Sequence, residues 1–572
     1  MTILANHLGY GLAGTKTAII ATADDRLLGP VAVVRVDGEE VIVATLQAGP
    51  AQTVDGWTTG RYRRLDLGAI TEPGTYRVDV TDADRTISSR PFVVGEHRLQ
   101  FQTVSDLLAY FRAVRSSGEI DRKDRHARFY DDTSGAEVDA RGGWLDASGD
   151  FSKFLSHLTY TTMMSPQQMP LCAWAMMAAR DELAGRHKEV AAAHGNRLRD
   201  EALFGADFLV RFQSPQGFFY TAIFDALTKN LDERVINAPL QNSVRTQRWQ
   251  AAYRHGGGLA IAALARASTL DTDGDFSRPE YLAAARRGFD HLEEHNLEYL
   301  FDGTESIIDD YCALLAAVEL VAAAQHAGDD VGPYRAAARR RGESLVARYR
   351  TDPGGVGYLE GDADGRPFFH AAESGLPIIA LLRFVEVLDG DSFVADARRT
   401  ALDLARDLVT RVDGVVNPFG YFRQYVQPAG EQPRDAFFYP HENETGYWWQ
   451  GENANISSIA YAATLASELD DCDPALAARL LRLSDDQLSW VTGLNPFDSS
   501  MLQGRGFNNV EYSTAFQNVP GGILNGVTSG FEDESDIALM PNGPAQGGDS
   551  WRWAEQWIPH SGWFLLAVAA AR

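Results

Sequence analysis

The chain has 572 residues and a formal net charge of −26, with 78 acidic against 52 basic side chains. That balance repels the phosphates of nucleic acid and anionic membrane surfaces, so neither is expected as a partner. No run of about 18 apolar residues occurs to span a bilayer, and the length calls for two or more domains.

From the N-terminus, residues 1–95 read as β structure. Runs such as KTAIIAT, VAVVRVD, EVIVATL, GTYRVDV and FVVG are punctuated by DG, AGP and EPG turns. Short strands at this spacing indicate a small immunoglobulin-like β-sandwich with a structural role. The opening MTILANHLGYGLAG has neither the basic nor the apolar region of a signal peptide, which points to a cytoplasmic protein. Cys172, Cys312 and Cys472 are odd in number and far apart, against a disulfide framework and against a zinc motif.

From residue 96 to 572 the pattern turns helical. Helices are expected near 99–116, 152–180, 186–213, 247–268, 278–295, 306–327, 332–350, 371–389, 392–411, 451–468, 474–493 and 559–571. Twelve helices without a fixed repeat length suggest hairpins closed into an α/α toroid, a mainly α domain. The connections at 214–246, 412–450 and 494–558 are longer than joining requires, and loops of that length in a compact domain are usually functional.

The segment GGWLDASGDFSKF, residues 142–154, places Asp146 and Asp150 four residues apart beside Trp144. Two carboxylates can hold and deprotonate a water while an aromatic face takes a sugar ring. Three glycines disfavour a helix here, so the pair belongs on a shaped loop feeding a helix from about Ser152. An Asx-turn followed by an Asp N-cap is the competing explanation of the same residues. A third carboxylate, Glu555, stands among Trp551, Trp553 and Trp557, where apolar walls raise a carboxyl pKa as a general acid requires. The segment 439–455 adds Tyr447, Trp448, Trp449 and Glu452 as substrate-binding candidates. One of the two tryptophans is expected in the core. The DTDGDFS loop, with Asp271, Asp273 and Asp275, is a weak cation-loop candidate that reads first as a solvated cluster; no metal or cofactor is called for, and a structural calcium stays open.

GGWLDASGD resembles the GGWYDAGD signature of glycoside hydrolase family 9, and NHLGYGLAGTKTAII resembles the start of the immunoglobulin-like domain that precedes many of its catalytic domains. WVTGLNPF and AEQWIPHSGWFLLA fall where the family has WVLGxNP and its C-terminal NE motif. The resemblance implies an (α/α)6 barrel and inverting hydrolysis of β-glycosides. By it, Asp150 is the general base, Asp146 its partner at the water and Glu555 the general acid. The chain departs from the family in the residue inserted into DASGD, in Leu145 for tyrosine, and in NNVEYSTAFQNVPGG where a PHHR motif is usual.

DASGDFSKFLSHLTY, MSPQQMP and HENETGYWWQGENA resemble instead the family's exo-β-D-glucosaminidase branch. That resemblance implies removal of glucosamine from the non-reducing end of short chitosan-type oligosaccharides. The amine would need a carboxylate, for which Glu452 is the first choice and Glu442, Glu444 and the pair Asp309–Asp310 are the alternatives, with helix N-terminal stabilisation the competing explanation of Glu452. A β-glucosidase or cellodextrinase, an endoglucanase, and a catalytically silent sugar-binding protein are the alternatives. The partner expected is a small oligosaccharide, and a homodimer stays open.

Overall fold

The computed structural model describes residues 1–26, 28–82, 85–512, 518–540 and 549–572. Nine strands open the chain: β1 Thr2–Leu4, β2 Tyr10–Gly11, β3 Thr17–Thr22, β4 Val31–Arg35, β5 Val41–Leu46, β6 Arg61–Asp66, β7 Gly74–Asp82, β8 Arg85–Ser88 and β9 Phe92–Gly95. They form a three-stranded sheet, β1-β3-β6, facing a sheet of order β2-β9-β7-β4-β5 with β8 also on β7. Alternate residues Ile20, Leu65, Val31, Val33, Val78 and Val80 fill the space between the sheets. The opposite face of the small sheet, with Leu4, Ile19 and Tyr62, packs into the core of the helical part. That two-sided burial explains why β3 reads as a continuous apolar run, TAIIAT, rather than an alternating one. Arg64 of β6 pairs with Asp486 at 2.7 Å across the junction.

The helices that follow are α1 Arg98–Ala113, α2 Gly118–Asp124, α3 Met169–Arg186, α4 Lys188–Arg211, α5 Gly257–Ala267, α6 Arg278–Tyr299, α7 Ile307–Ala327, α8 Gly332–Val346, α9 Leu376–Val387, α10 Val394–Asp413, α11 Asn453–Ser467, α12 Pro474–Val491, α13 Trp551–Ala554 and α14 Ile558–Ala570. Six of them, α3, α5, α7, α9, α11 and α14, touch in sequence and close a ring, α14 returning to α3. Each is backed by an outer helix: α4, α6, α8, α10, α12 and α1 in turn. The inner helices are apolar on nearly all sides; α14, for example, is buried at every residue. The outer ones are amphipathic, as a one-sided contact requires. This is an (α/α)6 barrel with an N-terminal immunoglobulin-like domain.

The topology decides where loops gather. Alternation of outer and inner helices makes the inner six parallel, so every outer-to-inner connection arrives at the same end. The long segments before α3, α5, α11 and α14 therefore meet there, whereas inner-to-outer joins are short, a single residue between α3 and α4.

Three expected helices start later than their periodicity suggests, the one expected over 371–389 only at Leu376. The helix expected over 152–180 begins only at Met169, and Lys153–Phe154 instead pairs with Ala222–Phe224 in a four-stranded sheet. The threonines at 159, 161 and 162 and Pro166 disfavour helix in that stretch. The helix expected over 247–268 starts at Gly257, behind Gly256 with φ +93°, whose own Cβ would meet Leu155 at 2.5 Å.

Candidate active site

The segment 142–152 is a tight loop, as its glycines demand. Gly143 has φ +71° and lies against Phe208 and Met169, where a Cβ would come within 3.0 Å of the phenyl ring. The Asp146 N–H donates to the Ser152 carbonyl at 2.9 Å. Asp150 Oδ1 accepts from the Ser152 N–H at 2.7 Å and from its hydroxyl at 2.6 Å. The Asx-turn is thus real, and it aims the carboxylate. Asp146 Oδ1 accepts from Trp557 Nε1 at 3.2 Å and from Gln168 Nε2. Among the described residues neither Oδ2 accepts a hydrogen bond.

This loop is stitched to the far end of the chain. The Ser148 N–H donates to the Gln556 carbonyl at 2.8 Å, the Gln556 N–H to Ser148 Oγ at 2.8 Å, and the Ile558 N–H to the Asp146 carbonyl at 3.0 Å. Glu555, more than 400 residues from Asp150 in sequence, is carried into the same cavity. Burial pushes the Glu555 carboxyl well above its ordinary range, and Asp150 and Asp146 push it further. Asp146 is raised well above its usual value by burial and by Asp150. Asp150 is also raised by burial, against the opposing hydrogen bonds from Ser152.

The cavity holds about 510 Å³ and opens at the loop end of the barrel. The three carboxylates line it together. Tyr447, Trp448, Trp551 and Trp557 supply aromatic wall, with Tyr512 beside Glu555. The sheet around Phe224 and the turn Pro239–Ser243 supply further wall; Lys229 also lines the cavity, and His157 stands beside Trp448 and Trp557. Two turns on that wall are strained: Ala226 and Leu227 have φ of 58° and 62°, and Asn242 and Ser243 have 58° and 61°, without a glycine in either pair. Such strain concentrates at functional sites.

Five of the residues singled out from the sequence do not line the cavity. Trp144 is fully buried and donates its indole N–H to Glu201 at 2.9 Å. Trp449 lies under His441, ring centroids 3.9 Å apart, and Trp553 packs edge-on against it at 5.5 Å. Both tryptophans belong to the core. Glu452 is 1% exposed, accepts from Gln424 Nε2 at 2.8 Å, and is raised well above its usual pKa by burial. It is a buried acid at the start of α11 and does not line the cavity. Asp309 is buried at the start of α7, where it caps the helix through the Ser306 N–H at 2.9 Å and faces Arg254 at 3.4 Å. In each case a polar or aromatic residue flagged by composition is serving the core or a helix terminus.

Asp271, Asp273 and Asp275 each pair with arginine rather than with one another. The NNVEYSTAFQNVPGG segment brings Tyr512 to the cavity, and its residues 513–517 lie outside the described residues. Sequence reasoning missed His157, Gln168 and the wall at 224–243. The length of the 214–246 loop signalled that wall; nothing local distinguished His157.

The electrostatics set a pH profile. A base needs Asp150 ionised, so its raised pKa places the acid limb of kcat/KM above the ordinary aspartate range. An acid needs Glu555 protonated, so activity falls as pH rises through its raised pKa. We expect a bell with both limbs displaced upward, and Glu555→Gln should remove the alkaline limb only. A flat alkaline side in the native protein, read from kcat/KM against pH, would contradict the assignment.

Residues 102–514 match the pattern of glycosyl hydrolase family 9, and residues 1–85 match the cellulase N-terminal ig-like domain. Asp146 and Asp150 fall inside the first match and Glu555 beyond its end. No curated protein matches the chain. The structure is similar to that of a metagenome-derived glycoside hydrolase family 9 endoglucanase, with 18% identity, TM-score 0.65, and 99% of this chain and 98% of that one covered. It is also similar to GH family 9 endoglucanase J30, with 17% identity, TM-score 0.65 and coverages of 98% and 99%. At these identities the likeness is one of fold. Together with the family match over most of its length, it makes the chain a member of glycosyl hydrolase family 9.

Proposed function

We propose that the protein is an inverting glycosidase that releases glucosamine from the non-reducing end of short chitosan-type oligosaccharides. The observation that carries the reading is three carboxylates, Asp146 buried and Asp150 and Glu555 half-buried, sharing one aromatic-walled cavity. Glu555 protonates the leaving oxygen. Asp150 deprotonates the attacking water, and Asp146 helps to hold it; each aspartate ties one oxygen to the protein and keeps the other for that water. The aromatic wall takes the CH faces of the pyranose.

With Glu452 out of reach, the same three carboxylates are the acidic groups that meet the substrate. A 2-ammonium group beside them relieves their mutual repulsion, which a neutral hydroxyl does not. The names of the similar solved structures favour a second reading, an endoglucanase. The two separate by experiment. The glucosaminidase reading expects turnover of an aryl β-glucosaminide well above the matched β-glucoside, and monomer release from glucosamine oligomers. Equal turnover of both glycosides, or a rapid viscosity drop of a soluble β-glucan, overturns it. NMR of the first product should show the α-anomer, because both aspartates lie on one loop and serve one water.

A further inference from the structure

His157 stands on the cavity wall, its ring edge-on to Trp557 at 5.7 Å and to Trp448 at 6.0 Å between centroids. Its Nδ1 is 2.9 Å from Gln168 Oε1. The orientation of that amide is fixed from two sides. The His157 main-chain N–H donates to the same Oε1 at 2.7 Å, and Gln168 Nε2 donates to Asp146. The atom facing Nδ1 is therefore an acceptor, and Nδ1 must carry the ring's proton. Nε2 is left as a lone pair, and it has no hydrogen-bond partner among the described residues. Burial holds the ring's pKa down at about 4, so the imidazole is neutral near pH 7.

The side chain is not needed to orient Gln168, because the main-chain N–H already does so. What the Nδ1 bond fixes is the tautomer of His157 itself. We propose that His157 is a substrate-binding residue whose Nε2 accepts a hydrogen bond from a donor on the bound sugar, a hydroxyl or an ammonium. The proposal rests on the reading above only in that the cavity binds a sugar.

Two substitutions separate this role from a structural one. Gln reaches the position of Nε2, whereas Asn reaches only that of Nδ1. Dissociation constants for cellobiose and for the glucosamine disaccharide can be measured by calorimetry in a Glu555→Gln background, which suppresses turnover, with His157 native, His157→Gln or His157→Asn, and with melting temperatures as the check on folding. We expect His157→Asn to bind about tenfold more weakly and His157→Gln to stay within about threefold of native, as loss and retention of one hydrogen bond predict. Weakening toward both disaccharides assigns the donor as a hydroxyl; weakening toward the glucosamine disaccharide alone assigns it as the ammonium. Native-like binding by His157→Asn, or no binding of either disaccharide with His157 native, overturns the proposal. Because binding is read without turnover, the outcome is independent of which glycoside the enzyme cleaves.

Discussion

Glu555→Gln is expected to lower kcat on oligosaccharides by about 10³-fold while costing an aryl glycoside with a good leaving group less than about tenfold. An alkoxide leaving group needs its proton in the transition state; a nitrophenolate leaves without one. Asp150→Ala removes the base from the water and should lose about 10³-fold or more on both substrates, whatever leaves. Asp146→Ala should follow Asp150→Ala with a smaller loss, because Gln168 and Trp557 still shape the pocket it vacates. Parallel losses in Glu555→Gln and Asp150→Ala on both substrates would break the division of labour.

The barrel was legible because inner helices are apolar on nearly every side and outer ones carry a stripe. Both patterns survive in sequence without any tertiary knowledge. α7 and α14 could be placed within a residue or two of their ends on that basis, the first from Ser306 as its cap. The 152–168 stretch could not. Its apolar spacing suits a helix, but Lys153 and Phe154 find strand partners at Ile223 and Ala222, a pairing no local rule foresees.

Composition singled out three carboxylates that the fold places in one cavity, but it did not read their surroundings. Asp146, Asp150 and Glu555 do share a cavity, since a glycine-rich loop and an aromatic-rich terminus are each unusual in themselves. Trp144 and Trp551 looked alike as aromatic neighbours of carboxylates. Only the fold tells that Trp144 faces Glu201 beneath the loop while Trp551 faces the cavity. Glu452 misled for a related reason. A glutamate beside tyrosines and tryptophans reads as a ligand for a sugar, and here Gln424 and the main chain of Tyr439 claim it.

Replacing Asp124 should cost more stability than any other single polar change near the site. Its carboxylate at the end of α2 meets Lys153 at 2.5 Å and Arg234 at 2.6 Å, and all three groups are buried. Arg234 also holds the Phe151 carbonyl, and Lys153 holds that of Ala140 at 3.0 Å. The triad thereby clamps the chain on both sides of Asp146 and Asp150. Asp124→Ala strands two cations without a counter-charge, which should destabilise the protein by about 3–5 kcal/mol. Burial already brings Lys153 down to about 8, so it is the group that gives up its charge first in the variant. Burial pushes the Asp124 carboxyl up, but Lys153 and Arg234 outweigh it and the pKa lies below the ordinary 3.8. A depressed carboxyl pKa contributes stability that is present above the unfolded value and lost as pH falls through the folded one. The gap between native and Asp124→Asn should accordingly be full at neutral pH and narrow below 3.8. Thermal melts across that range decide the matter: an Asp124→Ala midpoint equal to the native one would mean that the two cations are solvated, and the clamp on the catalytic loop would have to be sought elsewhere.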